Sequence, residues 1–402
     1  MKIRPLKRFK RIMTVPPDKS ITHRALIFGA LAKGKTVIKN PLASLDTLST
    51  VDCITKLGAE VKLGNEWTVK GGKLFGTSLD CGNSGTTMRL LMGVAAGLAQ
   101  TTTFTGDKSL KSRPMDRITK PLSLMGAKCE GYKITGGELH AIDYEIPIPS
   151  AQIKSAVILA ALSAEGETVL RGRTNSRAHT EVMLKKMGAQ IATQNGVIKI
   201  KKSTLQPTEF LVGGDPSSAA YATALALLVP DGYAYIRGVE CSYERMGFYR
   251  KLIEAGAEIS IDETEDNVAN IGVRYSKILP FTVSETEIPY LIDEIPLLAL
   301  VACFARGESV IAGAGELKVK ESNRLVETAK LIKSLGGEIL LDGDKIRILG
   351  KGNLQGGGAY EGNDHRMVMT AAVGCAVSQK EGIVAHPECV EISFPGFFEL
   401  FE

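Results

Sequence analysis

The 402-residue chain predicts an α/β protein of two domains, each built from three copies of one unit. Three observations carry this expectation. A short pattern recurs five times: LGAEV at 57–61, MGAKC at 125–129, MGAQI at 187–191, AGAEI at 255–259 and LGGEI at 335–339. Ala-rich apolar stretches form a second series, opening near Ser20, Ser84, Ser150, Asp215, Asp293 and Asp364. The two series interleave with a shared period of roughly 60–80 residues, too long for the common solenoids.

In the first series, HTEVMLKKMG and RLVETAKLIKSLGG space their apolar residues as an amphipathic helix does. A glycine just past the last turn reads as the stop. The alternation that follows, as in EILLDGDKIRI, predicts hairpin strands. Helices of the second series are apolar nearly all round and are expected to be buried. Five of them end near Gly34, Gly166, Gly232, Gly307 and Gly382. GDPSSAAYATALALL has the clearest start, with Asp215 as N-cap and Pro216 in the first turn. Each of the six copies should therefore hold a buried helix, an amphipathic helix and several short strands. A boundary within LVGGDPSS (211–218) divides the copies three and three.

Composition narrows the function classes. With 44% hydrophobic and 23% charged residues the balance is that of a soluble globular protein, long enough for sizeable cores. The seven cysteines are odd in number, widely spaced and free of CxxC, which predicts core thiols in a reducing compartment. The basic start MKIRPLKRFKRIM is followed by no apolar segment of signal-peptide type, and no run is long enough to span a bilayer. A net charge of +5 is mild, and 6% aromatics offer few stacking platforms for nucleic acid. KIRPLKRFKRI reads more simply as an edge strand with exposed cations.

Polar residues crowd the starts of the apolar helices: Lys19, Ser20 and Arg24; Asn83 and Ser84; Ser150 and Gln152; Asp215 and Ser217; Asp293; Asn363, Asp364, His365 and Arg366. A helix N-terminus offers free N–H groups and favours an anion by about 0.3–1 kcal/mol. Capping accounts for the serines and aspartates. It does not account for Lys19, Arg24 or Arg366, whose charges oppose the dipole, so an anionic ligand is expected there. GALAKGKT (29–36) matches the phosphate-loop pattern, but it lies at a helix end and leads into a strand, the reverse of the required order. In DCGNSGTTMRLL, Gly82 and Gly85 permit close backbone approach and Asn83 supplies a polar handle. KSRPMDR places Arg113 in a loop. In LKVKESNRL, Lys320 and Arg324 are four apart at a helix start, a shared face able to clamp a phosphate, with Glu321 beside them to move protons. YLIDEIP puts Asp293 in an apolar setting, where burial would raise its pKa toward that of a base; an N-cap is the competing account. GNDHRMVM falls short of a metal ligand set, and neither a catalytic metal nor a cofactor is expected.

PPDKSITHRA, GNSGTTMRLL, KSRPMDR, SAQIKSA, VKESNRL and NDHRM occur in order, and from residue 16 to about 396 the chain resembles the 5-enolpyruvylshikimate-3-phosphate synthases of the enolpyruvyl transferase family. The resemblance implies two domains of three βαβαββ repeats each, joined by a double crossover: residues 14–213 on the shikimate 3-phosphate side, and residues 1–13 plus 214–402. It also implies a reaction. Shikimate 3-phosphate and phosphoenolpyruvate would combine by addition and elimination, releasing phosphate. Lys19 would bridge both substrates and stabilise developing charge. Ser20, Arg24, Ser150, Ala151, Gln152, Ser176, Asp293 and Lys320 would hold shikimate 3-phosphate. Asn83, Gly85, Arg113, Gln152, Arg324 and Arg366 would hold phosphoenolpyruvate, the arginines by bidentate contacts. Asp293 would be the base for the 5-hydroxyl. Glu321 would protonate the enol carbon, with Lys19 as competitor.

Three positions depart from many members of that family. Ile392 stands where a lysine is common, Ala151 where a second serine is common, and Leu90 where a proline is common. Ala151 has no hydroxyl to offer a phosphate, so that hydrogen bond is expected to fall to backbone or to Lys154. Members are inhibited by glyphosate in the phosphoenolpyruvate site; Gly85 leaves room for it, and Leu90 could weaken it. The related UDP-N-acetylglucosamine enolpyruvyl transferases usually carry a reactive cysteine where this chain has Lys108. An anion- or nucleic-acid-binding homologue without turnover is the reading from another class. Lys19, Arg24, Gln152 and Arg113 fall in one expected domain, and Asp293, Glu321, Arg324 and Arg366 in the other, so closure on substrate is expected. No nucleic-acid or membrane partner is expected, and a cytoplasmic, prokaryotic monomer is.

Overall fold

The computed structural model describes residues 1–265 and 267–402. The chain divides into a central unit, Pro17–Val212, and a terminal unit, Met1–Pro16 with Gly213–Glu402. These limits differ by a few residues from 13/14 and 213/214. Val15 sits in the core of the terminal unit, and Asp215 N donates to Pro16 O at 2.8 Å.

The central unit holds three copies of one motif. The first carries helices α1 (Lys19–Leu31) and α2 (Leu45–Lys56), the second α3 (Gly85–Ala96), α4 (Lys108–Ser112) and α5 (Asp116–Leu124), the third α6 (Ala151–Ala161) and α7 (His179–Lys186). Each copy builds its own four-stranded sheet. In the second, Ser78–Asp80 runs parallel to Thr101–Thr105 across the buried helix α3, and the hairpin Lys128–Glu130/Lys133–Thr135 completes the sheet antiparallel. A parallel neighbour requires such a crossover, which is why a helix separates the two parallel strands. The third copy repeats this order. The first is permuted: its parallel strand, Glu209–Leu211, comes from the far end of the unit and pairs with Lys35–Lys39.

The terminal unit contains α8 (Pro216–Leu228), α9 (Gly247–Glu254), α10 (Ile295–Ala302), α11 (Arg324–Ser334) and α12 (His365–Val377). Its first sheet borrows the N-terminal strand Lys10–Met13, parallel to Tyr233–Glu240. Lys2–Ile3 joins Gly382–Val384 antiparallel. The basic N-terminal arm thus supplies two edge strands rather than one. The sixth copy departs from the expected unit. Its sheet has three strands, and 3-10 turns at Pro387–Ile392 and Phe397–Phe401 stand where an amphipathic helix was expected.

Each unit has its own hydrophobic core, filled by the apolar helices. All of α8 is buried. In the central unit α3 and α6 pack with backbones close: a Cβ on Gly93 would lie 2.2 Å from Ala156 O. The five recurring glycines, 58, 126, 188, 256 and 336, all have φ between +82° and +113°, a region open to glycine just past a helix end. Gly34 is not such a cap. Helix α1 ends at Leu31, with Ala32 as C-cap, and the strand Lys35–Lys39 follows, the order that excludes a phosphate loop. Asp18, Ser84, Ser150, Asp215 and Asp364 cap their helices by accepting from backbone N–H groups, so Asp18 rather than Ser20 opens α1. The N-cap position of α10 is Glu294 rather than Asp293; the helix opens at Ile295, and Glu294 makes no side-chain cap bond. All seven cysteines are free thiols, and burial pushes that of Cys375 up to about 11. Among the described residues no helix is long and apolar enough to cross a membrane.

Candidate active-site residues in the two units

Three clusters occupy the helix mouths of the central unit. At α1, Lys19 Nζ lies 2.9 Å from Asp46 Oδ2 in the first turn of α2. One turn later Arg24 is buried. It donates from Nε to Thr180 Oγ1 at 2.8 Å, from Nη2 to Ser155 Oγ at 3.0 Å and from Nη1 to Ser20 O at 3.0 Å. Its rigid fork therefore ties α1 to α6 and α7. Ser20 Oγ accepts from Arg177 at 3.4 Å.

The second cluster surrounds the start of α3. Arg113, expected in a loop, is buried as the C-cap of α4 and donates to Asn83 Oδ1 at 2.8 Å and to Ser109 Oγ at 3.4 Å. Asn83 in turn donates to Asp107 Oδ2 at 2.6 Å. A Cβ on Gly85 would stand 3.0 Å from Arg113 Nη1 and 3.2 Å from Arg89 Nη1, so only glycine lets both guanidinium groups close on this helix start. Arg89 donates a short hydrogen bond to Gln152 Oε1, and Gln152 Nε2 donates to Thr86 Oγ1 at 3.1 Å. Gln152 of α6 is thereby drawn into the α3 cluster.

The third cluster lies at α6 and the segment before α7. Ser150 caps α6 by accepting from Ile153 N at 3.5 Å. Ser176 Oγ is buried with no hydrogen-bond partner. Lys154 is buried in a protein-made setting. Its ammonium lies 2.7 Å from Glu181 Oε1 and donates to Ser176 O at 2.9 Å and Thr174 O at 3.3 Å, which uses its three N–H donors.

A buried polar chain joins the first two clusters. His23 Nδ1 is 2.7 Å from Thr50 Oγ1, Thr50 Oγ1 is 2.6 Å from Thr87 Oγ1, and Thr87 Oγ1 donates to Ser84 Oγ at 2.7 Å. Burial, then the charges of Lys19 and Arg24, hold the His23 pKa well below 6.5, so the ring is neutral.

In the terminal unit Asp293, Lys320, Glu321, Arg324 and Arg366 form one cluster. Arg324, buried at the start of α11, donates from Nε to Asp364 Oδ2 at 2.8 Å and from Nη2 to Asp364 Oδ1 at 3.0 Å. The same guanidinium lies 2.6 Å from Glu321 Oε2 and 3.7 Å from Asp293 Oδ1. Lys320 Nζ is 3.3 Å from Asp293 Oδ1, and Arg366 Nη2 is 3.8 Å from Asp293 Oδ2. Arg366 Nη1 also lies 3.6 Å from Glu294 Oε1. Two expectations change. Lys320 precedes α11, so it shares no helix face with Arg324; the two converge on one carboxylate oxygen instead. Nor is the setting of Asp293 apolar, because three cations stand around it. Burial alone would raise the Asp364 carboxyl, but Arg324 outweighs it and holds the pKa below the ordinary value. Burial would lower the Arg324 pKa, and Asp364, Glu321 and Asp293 together raise it instead.

Several polar residues in these clusters were not singled out from sequence. Asp46, Arg89, Ser155, Arg177, Thr180 and Glu181 each pair with a residue that was. Arg89 had a legible signal, one helical turn after Gly85 within the same motif. Thr180 and Glu181 were hidden in HTEVMLKK, read only as an amphipathic helix. Carboxylates of the protein itself meet two of the three cations whose placement had pointed to a ligand anion: Asp46 lies beside Lys19, and Asp293 and Glu294 lie beside Arg366.

These residues can be set beside known proteins. A family model described as EPSP synthase (3-phosphoshikimate 1-carboxyvinyltransferase) matches residues 3–401. The chain is 40% identical to the 3-phosphoshikimate 1-carboxyvinyltransferase of Caldicellulosiruptor saccharolyticus, covering 100% of this chain and 98% of the relative. It is 42% identical to that of Aquifex aeolicus, covering 99% and 98%. An EPSP synthase structure from Acinetobacter baumannii superposes with a TM-score of 0.86 at 35% identity, covering 99% of this chain and 96% of the other. At 14% identity and a TM-score of 0.83, the enolpyruvyl transferase NikO from Streptomyces tendae shares the fold. With its repeats, its helix-mouth clusters and these matches along nearly its whole length, the chain belongs to the EPSP synthase family.

Proposed function

We infer that the chain transfers the enolpyruvyl group of phosphoenolpyruvate to the 5-hydroxyl of shikimate 3-phosphate. C3 of the enol gains a proton, the 5-oxygen attacks C2 and loses its own proton, and the tetrahedral adduct then gives up a proton from its C3 methyl as it expels inorganic phosphate, which restores the C2=C3 double bond. The observation that carries this reading is the full-length family match together with the cluster around Asp293. The relatives bearing the name 3-phosphoshikimate 1-carboxyvinyltransferase are matched over 98% of their own length.

The residue roles follow from the local chemistry. Asp293 is the base. Lys320, Arg324 and Arg366 at 3.3–3.8 Å favour its charged form, the form that accepts a hydroxyl proton. Arg113, Arg324 and Arg366, with Asn83 and Gly85, are assigned to phosphoenolpyruvate, where buried guanidinium forks bind phosphate and carboxylate oxygens in pairs. Ser20, Arg24, Ser150, Ala151, Gln152, Ser176 and Lys320 are assigned to shikimate 3-phosphate. Lys19 is assigned to both substrates. Glu321 is assigned to C3 protonation. Its carboxylate is 2.6 Å from Arg324, so a substrate anion must draw that arginine away before Glu321 can hold and deliver a proton. Lys19, held by Asp46, is the alternative donor.

Phosphate release tests the reading. It should depend on shikimate 3-phosphate and should not be supported by UDP-N-acetylglucosamine. Asp293→Ala should lower kcat by about 10²–10⁴-fold, the usual contribution of a general base, with a circular dichroism spectrum unchanged from wild type. An Asp293→Ala enzyme within about threefold of wild type would remove Asp293 from the role of base.

A further inference from the structure

The buried ion pair of Lys154 and Glu181 is not explained by the roles above. Lys154 lies in the first turn of α6, where a cation opposes the helix dipole. A buried pair of this kind contributes little more to stability than well-packed apolar residues would. Neither the helix nor the core therefore accounts for it. Its ammonium instead holds two successive points of the segment leading into α7: Thr174 O at 3.3 Å and Ser176 O at 2.9 Å. Ser176 is 6% exposed, and its hydroxyl has no hydrogen-bond partner. Just beyond, Arg177 donates to Ser20 Oγ, and Thr180 bonds both Arg24 and Ser155, the neighbour of Lys154. Helix α6 thus grips both ends of the 174–180 segment, and α1 holds it at Arg177 and Thr180.

We propose that the Lys154–Glu181 pair is a positioning device that fixes the backbone at 174–176, so that Ser176 and Arg177 present one arrangement to the phosphate group of shikimate 3-phosphate. The pair acts through the segment and does not touch substrate. Lys154 and Glu181 balance in charge, so the pair sets geometry without adding to the field that the phosphate meets. The proposal rests on the functional reading above.

Three variants and two readouts test it: Lys154→Met, the near-isosteric Glu181→Gln, and the double variant, by steady-state kinetics and by hydrogen exchange at 174–178. Each single variant should raise KM for shikimate 3-phosphate about tenfold, leave kcat within about threefold and leave KM for phosphoenolpyruvate within about twofold. The double variant should be no worse than the worse single, because both substitutions disable one unit. Exchange at 174–178 should quicken in each. If Lys154 contacted the phosphate itself, Glu181→Gln would free the ammonium and KM would hold or fall, which overturns the proposal. Lowered melting temperature with both KM values unchanged would also overturn it, as a purely structural role. Wild-type inactivity with shikimate 3-phosphate would instead sink the functional reading, whereas unchanged exchange at 174–178 in Lys154→Met sinks this one.

Discussion

A methyl group at residue 85 is the smallest change that tests the second cluster. On the backbone as it stands, that methyl sits 3.0 Å from Arg113 Nη1 and 3.2 Å from Arg89 Nη1, so at least one guanidinium must give way. Gly85→Ala should raise KM for phosphoenolpyruvate about tenfold while KM for shikimate 3-phosphate moves less than threefold, and glyphosate should inhibit the variant less than the wild type. Inhibition by glyphosate competitive with phosphoenolpyruvate is expected of the wild type, and none at millimolar concentration would contradict it. Legibility at this scale was uneven. Asp293, Glu321, Arg324, Arg366 and Lys320 were each picked out by residue type, and all five meet in one cluster. Their environments were not legible. Lys154 read only as a candidate phosphate contact because Glu181 lies 27 positions away, and chain distance conceals such a partner. The burial of Arg113 was not legible either, because it depends on Asn83 and Ser109 folding against it.

Helices α1, α2 and α3 are coupled by a polar chain, His23–Thr50–Thr87–Ser84, that makes a prediction about acid. In the unfolded chain His23 binds a proton near pH 6.5; folded, its pKa lies well below that. Between these values the unfolded state binds more protons. The contribution is therefore complete above about pH 6.5 and is lost as pH falls toward the folded value, by up to about 1.4 kcal/mol per unit. Urea midpoints measured from pH 7.5 to 5 should fall more steeply for wild type than for His23→Asn; parallel curves would refute the coupling. At the element scale the sequence was most informative where physics is local. The recurring glycines mark helix ends because their positive φ excludes most other residues, and Asp215 and Asp364 cap because a carboxylate meets free N–H groups. It failed where the partner is distant: the sixth copy borrows Lys2–Ile3 from the other end of the chain, and no local pattern announces that.

Two separate cores, one in each unit, make the whole molecule testable as two cooperative bodies. Ile158 and Leu298 are both fully buried, one in each core. Truncation of either to alanine should cost about 2–5 kcal/mol. Ile158→Ala should lower the melting of the central unit and Leu298→Ala that of the terminal unit, with calorimetry resolving a different transition in each; identical shifts of a single transition would contradict independent cores. The division into three and three was legible because a long period leaves many registers to agree. The permutation that closes each unit, with Glu209–Leu211 and Lys10–Met13 as borrowed strands, was not, because strand pairing is set by topology rather than by local sequence. The central claim concerns chemistry: a chain with these clusters moves an enolpyruvyl group. A proton NMR time course of the purified protein with shikimate 3-phosphate and phosphoenolpyruvate, with inorganic phosphate assayed in parallel, tests it most directly. New vinyl signals of a 5-enolpyruvyl ether, growing in step with phosphate release, are the predicted result; phosphate release without those signals, or neither, would contradict it.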